Sequence, residues 1–482
     1  MPDKQEKTLT SKVASNTVYQ FVGKILGLIV GLITFAILTR YLGRDAFGQY
    51  STIMAYLGFF AILADFGLFA ITIREFADGK IEQSRLFRNV TALRLTLTVG
   101  FFVIGGAIAW FIPYPLVVKV GIWVGILSYL FLQQTSLYAA IFQYKFTAWK
   151  LAFSEVVGRI IFLAGVVLVV YLQAGLLSVM WVLVAGNLIA LLINILFARR
   201  YVKVGFAFDF TIWKRILKLA VPLAAAIVLN IIYFHFDTII LSWFKPEADV
   251  GIYGAAFKVV DILVAFPAII TGLVLGTLTH FVNRNRERFR RVFRKTFELL
   301  LIISVPVVVG VILTAPKIIE VIAGGEYAES AFVLQIIILS IPFMFVGNLA
   351  SQAFVAGERI KSLTLIFGVG AVLSLVSNFI AIPLYSYTGA AITTVGVEAL
   401  VAVVAFILVG RYFKTWPPLK IWAPVIVATA VMGGVIWLVR DWNIFVIVVI
   451  AAIVYGGLLF VLRAITPGDV RRMLNIRSSD AG

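Results

Sequence analysis

The sequence predicts an all-α polytopic membrane protein of about fourteen transmembrane helices. They are arranged as two six-helix lobes, related by a pseudo-twofold along the membrane normal, plus two C-terminal helices. Three observations carry this expectation: the apolar composition, the regular recurrence of long apolar runs, and the sidedness of the basic residues. Of 482 residues 62% are hydrophobic and 13% charged, with a mean hydropathy of +1.04. Soluble domains carry about twice that share of charge. A spanning helix needs roughly 20 apolar residues. Such runs stand at 14–39, 47–73, 89–112, 116–141, 151–172, 175–198, 216–243, 250–280, 297–315, 331–355, 362–383, 388–410, 420–439 and 443–463.

The net charge of +18 is a topology signal. With the N-terminus placed in the cytoplasm, 31 of the 41 Lys and Arg fall on cytoplasmic segments, 6 on outer loops and 4 inside spans. Basic residues concentrate on the cytoplasmic side of membrane proteins. Both termini are therefore expected in the cytoplasm, and an even span count is required. Nucleic acid is not an expected partner. The first apolar run is too long for a signal-peptide core and reads as a retained span.

Taken in order, span 1 carries Lys24 near its middle, and Arg40–Tyr50 makes the outer turn. Span 2 ends at Asp65-Phe-Gly-Leu, before a basic loop over Arg74–Arg88. Span 3 carries Arg94, about 9 Å along the helix from Arg88, so it is expected to snorkel to the inner face. Pro113 and Pro115 mark the next outer turn. Span 5 carries Glu155 and Arg159, and Arg199–Lys218 is a long basic linker. Spans 7 and 8 form a hairpin around the polar turn Lys245–Asp249, with Asp237, Lys258 and Asp261 in its apolar arms.

An offset of 203 residues lays Gly48-x-Tyr50 on Gly251-x-Tyr253, each just after a polar outer turn. Both hairpins lead into a basic inner loop. Six spans per block is an even number, so the blocks share one orientation. The expected divisions are 1–200 as an N-terminal lobe, 201–412 as a C-terminal lobe, and 413–482 as two extra spans with a basic cytoplasmic tail.

Several chemistries are excluded. There is no cysteine, and only His235 and His280 among histidines, which leaves no Cys- or His-rich metal site. No loop exceeds about twenty residues, and no phosphate loop or HExxH motif occurs, so no catalytic domain and no cofactor are expected.

The run Arg40-Tyr-Leu-Gly-Arg-Asp-Ala-Phe-Gly-Gln-Tyr50, then Asp65-Phe-Gly-Leu and Arg74-Glu75, resembles the opening of the polysaccharide-biosynthesis flippases. These are the Wzx-type exporters of lipid-linked oligosaccharides in the MATE-like (MOP) superfamily. Asp237-Thr-Ile-Ile-Leu with Val250-Gly-Ile-Tyr-Gly-Ala-Ala-Phe-Lys258 resembles their second-half hairpin. Gly357-Glu-Arg, Asn378-Phe-Ile-Ala-Ile-Pro383 and Thr388-Gly-Ala-Ala-Ile-Thr resemble their span 11–12 motif. The resemblance implies two lobes forming a V around a central cavity. It implies export of a polyprenyl- or dolichyl-diphosphate-linked glycan by alternating access across the cell membrane. Membrane lipids and the lipid-linked glycan are the implied partners, with glycan-assembly enzymes as further candidates, for a chain acting as a monomer. It further implies that cavity cations hold the anionic substrate and that an ion or proton gradient drives the cycle.

A diphosphate needs cations where the headgroup crosses, and Arg and Lys supply them. The candidates are Lys24, Arg40, Arg94, Arg159 and Lys258. Lys24 lies about 18 Å along the helix from Lys12, near mid-membrane. Arg159 has Glu155 at i−4, and Lys258 has Asp261 at i+3, so both have a partner along their own helix. Asp65, Asp237 and Glu398 have no cation at i±3 or i±4 and are candidates for ion or proton coupling. The spans hold five acids against four cations. Charge count therefore leaves a second substrate class open: an organic cation moved by a MATE-type antiporter driven by H+ or Na+.

Overall fold

A computed structural model describes residues 4–416 and 421–462; side chains are described from Tyr19 onward, apart from Phe21, Pro222, Leu223, Ala225, Ala226, Ile231 and His235. The expected basic tail Arg463–Arg477 lies outside the described residues. The described chain is helical almost throughout, as its composition demands. In lipid no water is present to satisfy backbone groups, so each span must close its hydrogen bonds internally.

The helices run α1 (Lys4–Asp65), α2 (Leu68–Asp78), α3 (Gln83–Phe111), α4 (Leu116–Tyr144), α5 (Trp149–Leu172), α6 (Gly175–Ala198) and α7 (Phe210–Phe244). They continue with α8 (Glu247–Phe281), α9 (Arg286–Ile322), α10 (Ala328–Ile337), α11 (Ile341–Ala356), α12 (Ile360–Phe413), α13 (Trp422–Leu438) and α14 (Ile444–Val461). Single 3-10 turns at Gly325–Tyr327 and Ile338–Ser340 precede α10 and join it to α11.

Every expected span lands on helix, but the correspondence is not one to one. The 62 residues of α1 would run about 93 Å if straight, three times a bilayer core. The helix breaks at Gly43, with φ 68° and ψ −179°, a conformation open to glycine and closed to most other residues. That single residue does the work of the expected outer turn. Likewise α12 carries spans 11 and 12 across a break at Ser386, with φ 50° and ψ −136°. This strained backbone is held from outside. The Ser386 hydroxyl donates to Asp249, and Lys245 Nζ donates to the Pro383 carbonyl at 2.9 Å. The polar turn Lys245–Asp249 thus braces the kink in α12.

The described chain divides into two compact units. One comprises residues 1–254, 322–326 and 371–390; the other comprises 255–321, 327–370 and 391–482. Among its described residues the first unit holds two larger apolar cores and a smaller one of Leu38, Val166, Val169 and Val179. Leu68, Phe76, Leu86, Phe87, Tyr138 and Ile216 pack together at the end with the basic loops. Ile53, Tyr56, Phe60, Phe102, Ile122 and Tyr129 pack nearer the other end. In the second unit the Tyr455 hydroxyl of α14 donates to the Ile302 carbonyl of α9 at 2.8 Å, and Gln335 Nε2 of α10 donates to the Ile312 carbonyl at 2.9 Å. The two carbonyls stand four residues before Pro306 and Pro316, which lack the amide that would otherwise bond them.

Many large apolar side chains face outward, Phe111 at 89% and Tyr171 at 82% exposure among them. Patches of this extent are sustained by lipid and not by water. The molecule is a multi-pass membrane protein.

The linker between α6 and α7 is anchored by polar contacts. Asp209 caps α7, its Oδ1 accepting from the amides of Thr211 at 3.0 Å and Ile212 at 3.3 Å. Arg85 Nη2 donates to Asp209 Oδ2 at 2.7 Å. The Arg85 guanidinium, helped by the helix amides, holds the Asp209 carboxyl below the usual carboxylate range.

Candidate functional site

The intramembrane charges of the first unit sort into two groups. The first lies between α1 and α5. Gly23 sits tightly against Ala152, which draws the two helices together. Lys24, Glu155 and Arg159 are all exposed along this contact. Arg159 passes over Glu155 for a partner on the other helix: its Nη1 donates to the Gly27 carbonyl at 2.6 Å. Arg159 and Lys24 both act electrostatically on Glu155. Two cations face one carboxylate, and all three remain open. Such a cluster carries a net positive charge in a low-dielectric setting, where an entering anion gains most.

The second group lies between α1, α3 and α4. The helix stops at Asp65, and Phe66 and Gly67 both take left-handed conformations, with φ 48° and 69°. That break turns the Asp65 carboxylate inward. It accepts the Gly67 amide at 3.2 Å and the guanidinium of Arg94. Arg94 is fully buried and also donates to Gln133 Oε1 at 3.2 Å. Gln133 in turn donates to the Ala61 carbonyl. The expectation that Arg94 snorkels to the inner face is corrected here. Its guanidinium points into the bundle, because Asp65, 29 residues earlier, supplies the counter-charge. Asp65 is correspondingly paired across helices, which no spacing along its own helix reveals.

Asp237 is also engaged. It is 4% exposed, takes the amide of Thr238 at 2.6 Å, and accepts the hydroxyl of Tyr253 from α8. Its lack of a cation along α7 therefore does not leave it bare. Glu398 is buried on α12. Arg40 is exposed beside Gly324 and donates Nη1 to the Ala36 carbonyl at 3.0 Å. Lys258 and Asp261 are neighbours on α8 and interact electrostatically, as their spacing predicts. Among the five cationic candidates, the structure brings together Lys24 and Arg159.

The repeat positions meet. A Cβ on Gly48 would lie 1.7 Å from the Glu247 carbonyl oxygen and 3.1 Å from the Gly251 amide. A Cβ on Gly251 would lie 2.4 Å from the Arg44 carbonyl oxygen and 3.2 Å from the Gly48 amide. The two positions that the 203-residue offset aligns thus pack backbone to backbone. Small residues at helix crossings allow this approach in membranes. Sequence spacing does not reveal Gln133 and Tyr253 as the partners of Arg94 and Asp237. Gln133 offered one signal, an amide pair Gln133-Gln134 inside an apolar span.

Comparison with known proteins follows the same lines. The family model described as polysaccharide biosynthesis protein matches residues 37–332. The chain is 21% identical over 452 residues to the "Probable low-salt glycan biosynthesis flippase Agl15" of Haloferax volcanii, covering 88% of this chain and 89% of that protein. Its fold is similar to that of the lipid II flippase MurJ in an inward closed conformation, with a TM-score of 0.77 at 16% identity, over 95% of this chain and 100% of that one. It is also similar to an inward-facing multidrug resistance MATE family transporter of the MOP superfamily, with a TM-score of 0.66 at 13% identity, over 83% and 98% of the two chains.

Proposed function

The chain belongs to the polysaccharide biosynthesis protein family, and from that premise we propose that it is a flippase for a lipid-diphosphate-linked oligosaccharide. It carries a polyprenyl- or dolichyl-linked glycan from the cytoplasmic to the outer leaflet by alternating access. The observation that carries this reading is the open cluster Lys24–Glu155–Arg159, where two cations stand against one carboxylate inside otherwise apolar helices. The flippase named among its relatives supports the same substrate class.

In this reading Arg159 gives up the Gly27 carbonyl and turns to the diphosphate, with Lys24 as a second point charge. The gain is large because charge-assisted bonds to phosphate are strong where water is scarce. The protein works in the cytoplasmic membrane with both termini in the cytoplasm, as a monomer among membrane lipids and glycan-assembly enzymes. Two six-helix lobes, 1–200 and 201–412, with an appended pair over 413–482, are the moving parts. Transport needs no catalytic residue of its own.

An antiporter for organic cations is favoured by the MATE likeness alone. That mechanism calls for an open carboxylate free of cations; Asp65 and Asp237 are both engaged by neighbouring helices, and the exposed Glu155 stands against Lys24 and Arg159. The test is accumulation of lipid-linked glycan on the cytoplasmic face in cells lacking this chain. Accumulation relieved by the wild-type gene supports the flippase; efflux of organic cations from proteoliposomes with no glycan phenotype supports the antiporter.

A further inference from the structure

A cavity of about 830 Å³ opens between α2 and the start of α7, at the end of the first unit that carries the basic loops. Arg74, Lys80, Lys214, Arg215 and Lys218 line it, against the carboxylates of Glu75 and Asp78. The acids are already engaged. Arg215 pairs with Glu75 at 2.9 Å and with Asp78 at 3.2 Å, and Lys80 pairs with Asp78 at 2.9 Å. Glu75 is buried, so it fixes Arg215 in place. Arg74, Lys214 and Lys218 are exposed and have no ionic partner among the described residues.

Lys214 and Lys218 stand at i, i+4 on one face of α7, where like charges cost helix stability. The sidedness of basic residues explains their sign. It does not explain their concentration in one cavity, nor the clamping of Arg215 at its wall. Three free cations from two helices, with Leu219 as an apolar wall, fit a compact polyanion attached to an apolar chain.

We infer that this cavity docks the diphosphate headgroup of a lipid before transit. The inference rests on the flippase reading and adds a loading site apart from Lys24 and Arg159. The cations give affinity and draw the anion to the mouth of the protein. Leu219 accommodates the first carbons of the prenyl chain.

The test uses the full chain in phosphatidylcholine nanodiscs and geranylgeranyl diphosphate as the probe. The variant K214Q/K218Q is expected to weaken binding at least about tenfold, the equivalent of about 1.4 kcal/mol. K214R/K218R is expected to restore it, and K361Q, at the start of α12, to leave it unchanged. Inorganic diphosphate is expected to compete, and phosphatidylglycerol at equal concentration is not. Wild-type affinity in K214Q/K218Q, or displacement by phosphatidylglycerol as effective as by inorganic diphosphate, overturns the inference. If K214Q/K218Q binds normally while K24A/R159A loses the probe, the docking site falls and the flippase reading stands. A wild-type chain that binds no prenyl diphosphate sinks both.

Discussion

Asp65–Arg94 and Glu155–Arg159 each set a carboxylate and a guanidinium among the apolar helices of one unit, yet only the first pair closes. Arg94 is fully buried, bonded to Asp65 and Gln133, with an amide chain leading on to the Ala61 carbonyl. Arg159 leaves Glu155 for a backbone carbonyl on α1 and stays exposed beside a second cation. The difference is one of burial and counter-charge: Arg94 spends Nη2 on Asp65 and Gln133 while its buried Nε and Nη1 find no hydrogen-bond partner among the described residues. A buried pair is retained because separating it is costly, whereas an open, cation-rich cluster has bonding capacity to offer a ligand. The first group therefore reads as architecture and the second as a binding site.

The largest effect is expected at the closed pair. Arg94→Ala leaves Asp65 without its counter-charge and is expected to cost about 3–5 kcal/mol, seen as a large fall in thermal unfolding temperature in detergent. Arg159→Ala is expected to cost less than about 1.5 kcal/mol, since one hydrogen bond is lost at an exposed position. Equal losses in the two variants would erase the distinction.

Next comes the glycine crossing. Gly48→Ala meets a backbone oxygen that has no rotamer to change, so the helices must part. The expected cost is about 1–3 kcal/mol, measured by the same unfolding curve. A neutral result would mean that α1 and α8 are not so closely packed.

Asp237 tests whether a third carboxylate belongs with the closed group. Asp237→Asn and Tyr253→Phe are each expected to cost about 1–3 kcal/mol, and the double variant less than their sum, because both remove one bond. If Asp237→Asn instead abolishes transport without moving the unfolding temperature, the residue belongs to the coupling machinery.

The smallest effect is expected at the water-exposed version of the same pairing, Arg85–Asp209. The Asp209 carboxyl is held below its ordinary value in the folded protein. Its stabilising contribution is thus complete above the ordinary aspartate value of about 3.9 and is lost as pH falls through the depressed folded value. The difference in stability between wild type and Asp209→Asn is expected to be present at pH 7 and to vanish in acid. A difference that persists at low pH would assign the effect to the cap geometry and not to charge.

Much of this architecture was legible in the sequence, because lipid forces length and polarity into a simple code. The spans and the turn at Lys245–Asp249 follow from runs and repeats; the repeat offset aligns Gly48 with Gly251, while their contact appears only in the structure. What spacing along one helix conceals is contact across helices. Arg94 lies 29 residues from Asp65, and Tyr253 lies 16 from Asp237, so neither partner shows at i±3 or i±4. The two helix breaks were concealed for a different reason. Gly43 and Ser386 each turn the chain with a single residue, where the sequence suggested loops several residues long. The local partner of Arg159 was misleading in the opposite sense, since Glu155 stands at the right spacing and the guanidinium turns elsewhere.

The role of the open cluster is tested most directly by one measurement. Export of lipid-linked glycan is measured in cells whose only copy of the chain carries Lys24→Ala with Arg159→Ala, alongside its abundance in the membrane. Loss of export at near-normal abundance is the predicted result. Normal export from that double variant would contradict the assignment of Lys24 and Arg159 to the substrate.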